Sequence, residues 1–507
     1  MSFPRYGTSI LAWVAFIPLL FAVSRVTGAR TLLKSYAYGF VYGFVSYSIL
    51  LYWVVVAMHE YGGIDLPVSI LGLVLLACTL SALYTGTFTV LIKMFVDRGL
   101  SGGFIFIPVL WVVLEYARTH LFSGFPWELL GYSQYRNLSL IQVSRITGVY
   151  GVSFVIMLFN VLVYEVLVWW YDTKSVRTAK YPLLLTKATV TLLLITGILV
   201  YGDITVNGTL ALTERPGRAL TVGLIQGDID QSHKWDPAYQ GSTLSSYLSL
   251  SQRACDQARP RLLIWPETST PFFFQSESLF RAPMVDFVRS NKVYLMFGSP
   301  AFDYVKDGID YFNSAFLMTP DGRIAGRYDK RQLVPFGEYL PLRRIFFFFK
   351  KLTGSIGDFT AGRRDNLLRF GKVRIGTLIC YEIIFPGLSV DDVRNGANLL
   401  VTITDDAWFG RTSAPYQHLS MSVFRAVEND RFVVRSANTG ISAVISPTGE
   451  VLASTKLFVP AFIDHKVRLL DTDTFYTRYG DLFVFICFIV LAVFMVRYLY
   501  TYRRSRA

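Results

Sequence analysis

Hydrophobic positions follow two different patterns along this 507-residue chain. Long apolar runs fill the first 202 residues and return near the carboxyl end, whereas the region between them has only short apolar runs. A helix needs about 20 apolar residues to cross a bilayer. Seven runs approach that length and predict membrane-spanning helices, at 10–23, 36–57, 66–92, 104–117, 151–170, 181–202 and 482–500.

Residues 203–480 contain apolar runs of four to eight residues, bounded by Gly, Pro, Asp and Asn. Such runs are typical of buried strands. We predict strands at 219–228, 261–267, 293–300, 313–322, 372–380, 397–406, 432–440 and 441–450, and a helix at 417–430. The stretches TPDGR and SPTGE are typical of hairpin turns. Strands mixed with helices over this length predict a layered α/β sandwich.

The predicted organisation therefore has three parts. Residues 1–202 form a polytopic α-helical membrane bundle of about six spans, residues 203–480 form the α/β domain, and residues 481–507 form a last spanning helix with a basic tail. An alternative interpretation of the first run, at 10–23, is a cleavable signal peptide. Because no small-residue cleavage site ends that run, we favour an uncleaved helix.

Basic residues set the predicted orientation, because cytoplasmic loops of membrane proteins are enriched in Lys and Arg. Basic residues cluster after the first, third, fifth and seventh spans. Those four regions hold Arg25, Arg30, Lys34, Lys93, Arg98, Lys174, Arg177, Lys180, Arg497, Arg503, Arg504 and Arg506. The other short loops are poor in Lys and Arg, with the exception of 118–145. The alternation places the amino terminus and residues 203–480 outside the cytoplasm.

Composition supports a membrane protein and argues against a nucleic-acid-binding one. The chain is 52% hydrophobic and only 17% charged, with a mean hydropathy of +0.41, which is too apolar for an ordinary soluble enzyme. In a membrane protein much of a net charge such as +13 can lie in cytoplasmic loops, so this charge is poor evidence for nucleic-acid binding. No run alternates basic and aromatic residues, and no C-x-x-C pair suggests a zinc site.

Three polar residues that end or follow predicted strands form a possible catalytic set. Glu267 follows LLIWP, Lys330 lies in GRYDKRQLVPFGEYLP, and Cys380 ends VRIGTLIC. A thiolate attacks a carbonyl, a carboxylate moves the proton, and an ammonium stabilises the developing negative charge. Taken singly, each residue has a simpler interpretation: a core cysteine, a solvated lysine and a helix-capping glutamate.

Together with their flanks, the three segments WPE, DKRQLVPFGEY and CYE resemble the nitrilase, or carbon–nitrogen hydrolase, superfamily. The resemblance covers about residues 219–465 and implies an αββα sandwich with a Glu-Lys-Cys triad. It implies Glu267 as general base, Lys330 as oxyanion-stabilising residue and Cys380 as nucleophile. It further implies supporting roles for Glu338, and for Tyr381 and Glu382 of the cysteine motif.

The membrane half resembles one branch of that superfamily, the apolipoprotein N-acyltransferases. The segments GFPWELLGYSQ, VGLIQGDIDQSHKWDP, DDAWFG and RSANTGISAVISPTGE are similar to that family. The resemblance implies transfer of an acyl chain from a phospholipid, through a cysteine thioester, to the amine of an S-diacylglyceryl cysteine in an apolipoprotein. It implies a multi-pass protein of the bacterial inner membrane with a periplasmic catalytic domain, and no cofactor, metal or nucleic acid. We expect a monomer.

The sequence leaves open the number of spans and the residues that contact the substrates. The family commonly has eight spans and a cytoplasmic amino terminus, whereas seven spans are counted here, so a first helix is lacking or the true start lies upstream. Candidate contacts to lipid or acceptor are Trp235 and Trp127, by family position, and the segment LRRIFFFFKKL with Phe346, Phe347, Phe348 and Phe349. That segment is typical of a membrane-surface anchor or lid, and a core segment is its alternative.

Other functions and pairings compete with this assignment. A membrane-anchored nitrilase-type amidase would use the same triad, and a transporter would carry a non-catalytic domain. A Cys255–Cys380 disulfide would remove the nucleophile. His233 and His418 are weak candidates for a Cys-His pair, and Asp405 and Asp406 for a metal site, since capping or solvation explains these aspartates better.

Overall fold

The structure is a computed structural model that describes residues 2–96, 102–171, 174–214, 217–306, 308–340, 359–363 and 366–504. It divides into two compact units. The first unit comprises Met1–Val54, Pro67–Gly208 and Tyr479–Ala507, and the second comprises Val55–Leu66 and Thr209–Arg478.

The first unit is built from helices. Their bounds are α1 Ile17–Ser24, α2 Thr31–Leu50, α3 Trp53–Val56, α4 Leu66–Leu80, α5 Thr87–Val96, α6 Gly103–His120, α7 Leu138–Ile141, α8 Ser144–Thr147, α9 Val149–Tyr171 and α10 Lys174–Glu214, with α16 Leu482–Arg504 at the carboxyl end. Helix α3 runs into a π-helical turn at Ala57–Tyr61, which belongs to the second unit.

Within the described residues, four helices are long and apolar enough to cross a membrane: Leu66–Phe95, Val149–Tyr171, Lys180–Ala211 and Leu482–Thr501. A fifth candidate is the pair Thr31–Leu50 and Trp53–Tyr61, which is bent by 50°. These five coincide with five of the seven predicted spans. The remaining two, at 10–23 and 104–117, coincide with a shorter apolar helix and with α6, and as spans they stay predictions.

Close helix packing in the first unit depends on two glycines of α2. A Cβ built on Gly39 would overlap Thr89 and Thr85, and a Cβ built on Gly43 would overlap Thr85 and Ser81. Glycines four residues apart form one stripe along a helix, and such a stripe lets helix backbones approach closely in an apolar environment. Helix α2 therefore packs directly against the long helix Leu66–Phe95.

The second unit contains two six-stranded sheets. The first has the order β12–β1–β2–β3–β4–β5 and the second β11–β10–β9–β8–β7–β6. Their bounds are β1 Ala219–Gln226, β2 Leu262–Ile264, β3 Tyr294–Val305, β4 Gly308–Met318, β5 Ile324–Asp329, β6 Leu368–Phe370, β7 Val373–Ile379, β8 Leu399–Thr404, β9 Val433–Ala437, β10 Ala443–Ile445, β11 Val451–Ser454 and β12 Ala461–Arg468. The helices are α11 Gln240–Ala258, α12 Ser278–Asn291, α13 Pro386–Arg394, α14 Ala414–Asn429 and α15 Phe475–Tyr479.

The two sheets share one pairing pattern. Each has three adjacent parallel strands, β1–β2–β3 in one and β7–β8–β9 in the other, flanked by antiparallel partners. The carboxyl ends of neighbouring parallel strands lie at the same edge of a sheet, where loops position functional side chains. Residues that follow these strands are therefore brought together.

Alternating side chains bury both faces of the sheets. Leu262 and Ile264 of β2 belong to a core that holds residues of both sheets, whereas Leu263 belongs to a core shared with α11 and α12. A strand that is apolar on both faces needs cover on both faces. The resulting layers of helix, sheet, sheet and helix confirm the predicted αββα sandwich. The TPDGR and SPTGE hairpins are also confirmed, between β4 and β5 and between β10 and β11.

One buried carboxylate of β12 predicts a measurable effect on stability. Both Asp464 carboxylate oxygens lack a hydrogen-bond partner among the described residues, and burial raises the pKa of this group from 3.8 to about 6. The folded state then holds a proton that the unfolded state has lost, so stability falls as pH rises from about 4 through 6. Asp464→Asn should raise the free energy of unfolding at pH 7.5 by about 1 kcal/mol, a figure reduced for solvent screening.

Thermal unfolding measured between pH 4 and 8 tests this expectation. The variant should gain stability at pH 7.5, lose the advantage near pH 4, and show a flatter pH dependence than the wild type. Asp286→Asn on α12 is a matched control. Equal unfolding curves for wild type and Asp464→Asn at every pH would show that the Asp464 carboxylate is solvated.

Candidate active site

The Glu267 carboxylate lies just past the end of β2, on a turn that packs against β3. Gly298 of β3 permits this approach, because a Cβ there would lie 2.5 Å from the Thr268 nitrogen and 2.7 Å from the Glu267 Cα. The Gly298 N–H donates to the Pro266 carbonyl at 3.2 Å. The carboxylate is buried, and its Oε2 accepts from the Asp405 backbone N–H at 2.9 Å. The turn thus fixes Glu267 by both backbone and side chain.

Lys330 follows β5 directly, and its ammonium is buried among carboxylates. Its Nζ donates to Glu338 Oε1 at 2.9 Å and lies 3.5 Å from Glu267 Oε1. Asn313 of β4 donates its Nδ2 to both of these carboxylate oxygens at 2.8 Å. The second oxygen of Glu338 accepts from the Val334 N–H at 2.8 Å. Glu338 therefore binds the ammonium, and Asn313 holds the Glu267 and Glu338 carboxylates next to each other beside it.

Cys380 follows β7 and has a left-handed backbone conformation, with φ of +53°. This conformation costs a non-glycine residue roughly 1–2 kcal/mol, so the surrounding structure must hold it. Part of that hold comes from the fully buried Glu382, which accepts from the Ile379 N–H at 2.7 Å and from the Arg331 N–H at 2.6 Å. Its carboxylate thereby ties the cysteine turn to the segment after β5.

The three predicted catalytic side chains interact electrostatically. Burial and the Glu267 carboxylate raise the pKa of the Cys380 thiol well above its usual range, while Lys330 opposes the rise. Burial likewise raises the pKa of Glu267, against the effect of Lys330. Burial alone would lower the pKa of Lys330, but Glu338 and Glu267 raise it overall. The resting site therefore contains a neutral thiol, a fixed cation and a carboxylate able to accept a proton.

A buried ion pair supports Glu267 from the other side. The Lys234 Nζ donates to the Glu267 carbonyl at 3.2 Å and forms a salt bridge with the Asp405 carboxylate. Asn438 donates its Nδ2 to Asp405 at 3.2 Å. Because Asp405 also binds Glu267 through its backbone N–H, the pair holds the main chain and the side chain of the same glutamate.

Removing one member of this pair should affect both stability and rate. Lys234→Met leaves the Asp405 carboxylate buried without its cation, which is expected to cost about 3–5 kcal/mol of folding free energy. The displaced glutamate should slow acyl-enzyme formation by roughly 10- to 100-fold per folded molecule. The double variant Lys234→Met, Asp405→Asn should regain stability but not rate, as measured by thermal unfolding and single-turnover kinetics. Lys292→Met, at an exposed position, is the control, and a wild-type rate in Lys234→Met would contradict the positioning role.

The other candidate residues have varied surroundings. Tyr381 is buried, and its ring contacts Phe385 edge-to-face at 5.1 Å. Trp235 is half-buried. Trp127 belongs to the first unit and is buried against Trp53, with ring centroids 4.6 Å apart, which favours a packing role over substrate contact. Phe346, Phe347, Phe348 and Phe349 lie outside the described residues.

The structure does not fit a Cys255–Cys380 disulfide or a solvated Asp405. All four cysteines are unpaired, and Cys255 packs in the core beneath α11 while Cys380 packs against the core between the sheets. The disulfide alternative is therefore wrong. Asp405 caps the following 3₁₀ turn by accepting from the Ala407 N–H at 3.2 Å, so the predicted capping role is confirmed, but the residue is buried and ion-paired and not solvated.

Sequence reasoning missed Asn313 and Lys234. Asn313 lies in a predicted strand, and nothing in its flanks distinguishes it from a strand residue with a polar outward face. Lys234 precedes Trp235 in a turn, where a lysine usually faces solvent. Asn313 lies in the middle of the antiparallel strand β4 and Lys234 lies eight residues after β1, so no local signal in the sequence marks either one.

Comparisons with known proteins cover nearly the whole chain. A family model described as apolipoprotein N-acyltransferase N-terminal domain matches residues 1–162, and one described as carbon-nitrogen hydrolase matches residues 221–470. The apolipoprotein N-acyltransferase of Geobacter metallireducens is 44% identical, over 96% of this chain and 90% of that protein. The one from Methylococcus capsulatus is 33% identical, over 95% and 90%. A solved nitrilase-superfamily structure, Saccharomyces cerevisiae Nit3, is 18% identical with a TM-score of 0.40, over 50% of this chain and 90% of that one.

Proposed function

The chain belongs to the apolipoprotein N-acyltransferase family, and from that premise we propose how its own residues carry out the reaction. An acyl chain passes from a membrane phospholipid to the Cys380 thiol, and then to the amine of the S-diacylglyceryl cysteine that begins an apolipoprotein. The observation that carries this proposal is the convergence of Glu267 and Lys330, with Oε1 and Nζ 3.5 Å apart. Both groups interact electrostatically with Cys380, which is held in a left-handed turn.

In the first half-reaction, Glu267 accepts the Cys380 thiol proton as the sulfur attacks the ester carbonyl of the phospholipid. Lys330 stabilises the oxyanion, and because its charge is already held by Glu338 it needs no rearrangement to do so. Collapse of the intermediate breaks the ester C–O bond. Glu267 returns its proton to the departing oxygen, which leaves a lysophospholipid and a Cys380 thioester.

In the second half-reaction, the acceptor amine attacks the thioester carbonyl. Glu267 accepts a proton from the amine nitrogen, and Lys330 again faces the oxyanion. When the C–S bond breaks, the proton moves from Glu267 to the leaving sulfur, so the amide product forms and the thiol is restored. One site serving both half-reactions predicts ping-pong kinetics.

The setting of the site follows from the rest of the chain. The protein is membrane-bound, and we propose that the catalytic domain, residues 203–480, faces the periplasm, because the basic clusters after alternate spans favour the cytoplasm. The bundle at 1–202 and the helix and tail at 481–507 would keep the site at the bilayer surface, where both acylated substrates reside. We propose that the protein acts as a monomer, since Glu267, Lys330 and Cys380 interact with one another within a single chain.

A two-substrate assay separates this function from a membrane-anchored amidase. The purified protein is mixed with a defined phosphatidylethanolamine and a synthetic S-diacylglyceryl peptide, and both products are followed by mass spectrometry. We expect one acyl chain on the peptide amine and an equal amount of lysophospholipid, and no reaction with an amine-acetylated control peptide. Release of fatty acid or ammonia without peptide acylation would support the amidase and contradict the proposal.

A further inference from the structure

A second buried network lies behind the cysteine turn, and the reaction steps above do not use it. His418 of α14 is fully buried, and its Nε2 lies 3.1 Å from the Cys380 carbonyl oxygen. Its Nδ1 lies 3.1 Å from Asp406 Oδ1 and 3.1 Å from Arg435 Nη2. Arg435 also donates to Asp406 Oδ2 at 2.5 Å. The imidazole therefore joins the backbone of Cys380 to an ion pair between Asp406, just after β8, and Arg435 of β9.

The partner of Nε2 shows that this nitrogen donates to Cys380. A carbonyl oxygen only accepts, so the proton lies on Nε2 and is donated to Cys380. Nδ1 lies beside both the Asp406 carboxylate and the Arg435 guanidinium. Burial and Arg435 lower the pKa of His418, against the opposing effect of Asp406. The Asp406 carboxylate accepts hydrogen bonds from Arg435 and from the Thr404 hydroxyl, the second at 2.9 Å. The ring is thus held in one orientation.

The backbone of Cys380 requires this support. Its left-handed conformation is unfavourable for a residue with a side chain, and on the amino-terminal side Glu382 holds the backbone through the N–H of the preceding residue, Ile379. His418 holds the carbonyl after it. With the Ile379 N–H and the Cys380 carbonyl both held, the backbone is fixed on either side of the Cys380 Cα, and so is the direction in which the sulfur leaves it.

The surroundings of Asp406 also hold this network in place. A Cβ at Gly440 would lie 2.7 Å from the Asp406 Cβ and 2.8 Å from its Cγ, so a side chain there would displace the aspartate. Asp405 and Asp406 are adjacent after β8, and the first supports Glu267 while the second supports His418. One strand end thereby supports both the base and the turn that carries the thiol.

We propose that His418, oriented by Asp406 and Arg435, is a positioning residue for the Cys380 nucleophile. It locks the carbonyl of the cysteine and so aims the sulfur, and it takes no proton from the thiol. This inference rests on the proposed function only in that Cys380 is the reacting group. It differs from a Cys-His pair because both ring nitrogens are engaged with the backbone and the ion pair.

Two substitutions separate positioning from proton transfer. His418→Leu removes the donor, whereas His418→Gln keeps an amide N–H able to reach the carbonyl. The readouts are the alkylation rate of Cys380 by iodoacetamide, which needs no bound lipid, the rate of acyl-enzyme formation from phosphatidylethanolamine, and thermal unfolding. We expect His418→Leu to slow both reactions at least about 10-fold per folded molecule, and His418→Gln to stay within about 3-fold of wild type, with an unchanged KM for phospholipid.

His465→Gln, on the edge strand β12, is the matched control and should react as the wild type does. Equal rates for folded His418→Leu and wild type would overturn the proposal, since a purely structural histidine would change only the unfolding temperature. The proposal would also be overturned if folded His418→Gln formed the acyl-enzyme as slowly as Cys380→Ala. Such a loss would come from removing a base, because glutamine keeps the hydrogen-bond donor. If His418→Leu does not fold, the glutamine variant alone decides. Alkylation of Cys380 without any phospholipid adduct would contradict the proposed function and leave the positioning result readable.

Discussion

Cys380→Ala is expected to abolish both half-reactions, with a loss of at least roughly 10⁴-fold in acyl transfer from phospholipid to peptide. Without the sulfur no thioester forms, and neither Glu267 nor Lys330 supplies another nucleophile. The fold should be unaffected, because alanine occupies the same left-handed backbone as cysteine and the Glu382 and His418 contacts go to backbone atoms. Product formation by mass spectrometry and thermal unfolding measure the two effects separately.

The chain offers a matched control for this substitution. Cys255 is buried in the core between the first sheet and α11, and burial raises the pKa of its thiol to about 11. Cys255→Ala should therefore keep nearly full activity, with at most a small loss of stability. Substantial turnover by Cys380→Ala, or a loss of activity confined to Cys255→Ala, would assign the nucleophile elsewhere.

Glu267→Gln is expected to slow acyl-enzyme formation by roughly 10²- to 10⁴-fold, because an amide does not accept the thiol proton. The site also demands a carboxylate for its hydrogen bonds. Oε1 accepts from Asn313 and faces Lys330, and Oε2 accepts from the Asp405 N–H. In either orientation the glutamine NH₂ would meet a donor, so we also expect a stability loss of about 1–3 kcal/mol.

The pH dependence of acylation gives this prediction its sharpest form. Burial raises the pKa of Glu267, so in the wild type the rate should fall as pH drops through a value above the ordinary carboxyl range. In Glu267→Gln that acidic limb should vanish while the low rate persists. Glu277→Gln, at an exposed position before α12, should leave the profile unchanged. Survival of the limb in Glu267→Gln would mean that another group is the base.

The sequence predicted the strands of the catalytic domain well because most of them are buried on both faces. Runs such as RLLIWPE and ANLLVTITDD are continuous apolar segments bounded by polar residues, and they became β2 and β8. Edge strands were not predicted: β6 has three residues, and β12 carries Asp464, His465 and Lys466 among its apolar residues. Of the seven predicted spans, those at 10–23 and 104–117 stay predictions: the helix over the first run is shorter than a span, and α6 carries Glu115 and Arg118.

The catalytic candidates were predicted from motif and order, whereas the residues that hold them were not. Glu267, Lys330 and Cys380 are each marked by flanks that resemble a family pattern. Lys234 and Asp405 are 171 positions apart in sequence, so their ion pair depends on which strand ends become neighbours. The role of His418 depends likewise on the path of α14 behind the cysteine turn.

Mass spectrometry of the Cys380 peptide tests the central claim most directly. The protein is exposed to phosphatidylethanolamine with one isotope-labelled acyl chain, in the absence of acceptor, and then digested. We predict one acyl chain on Cys380, removed by neutral hydroxylamine, lost on adding the S-diacylglyceryl peptide, and absent from Cys380→Ala. An unmodified Cys380 in protein that nevertheless acylates the peptide would contradict the thioester mechanism.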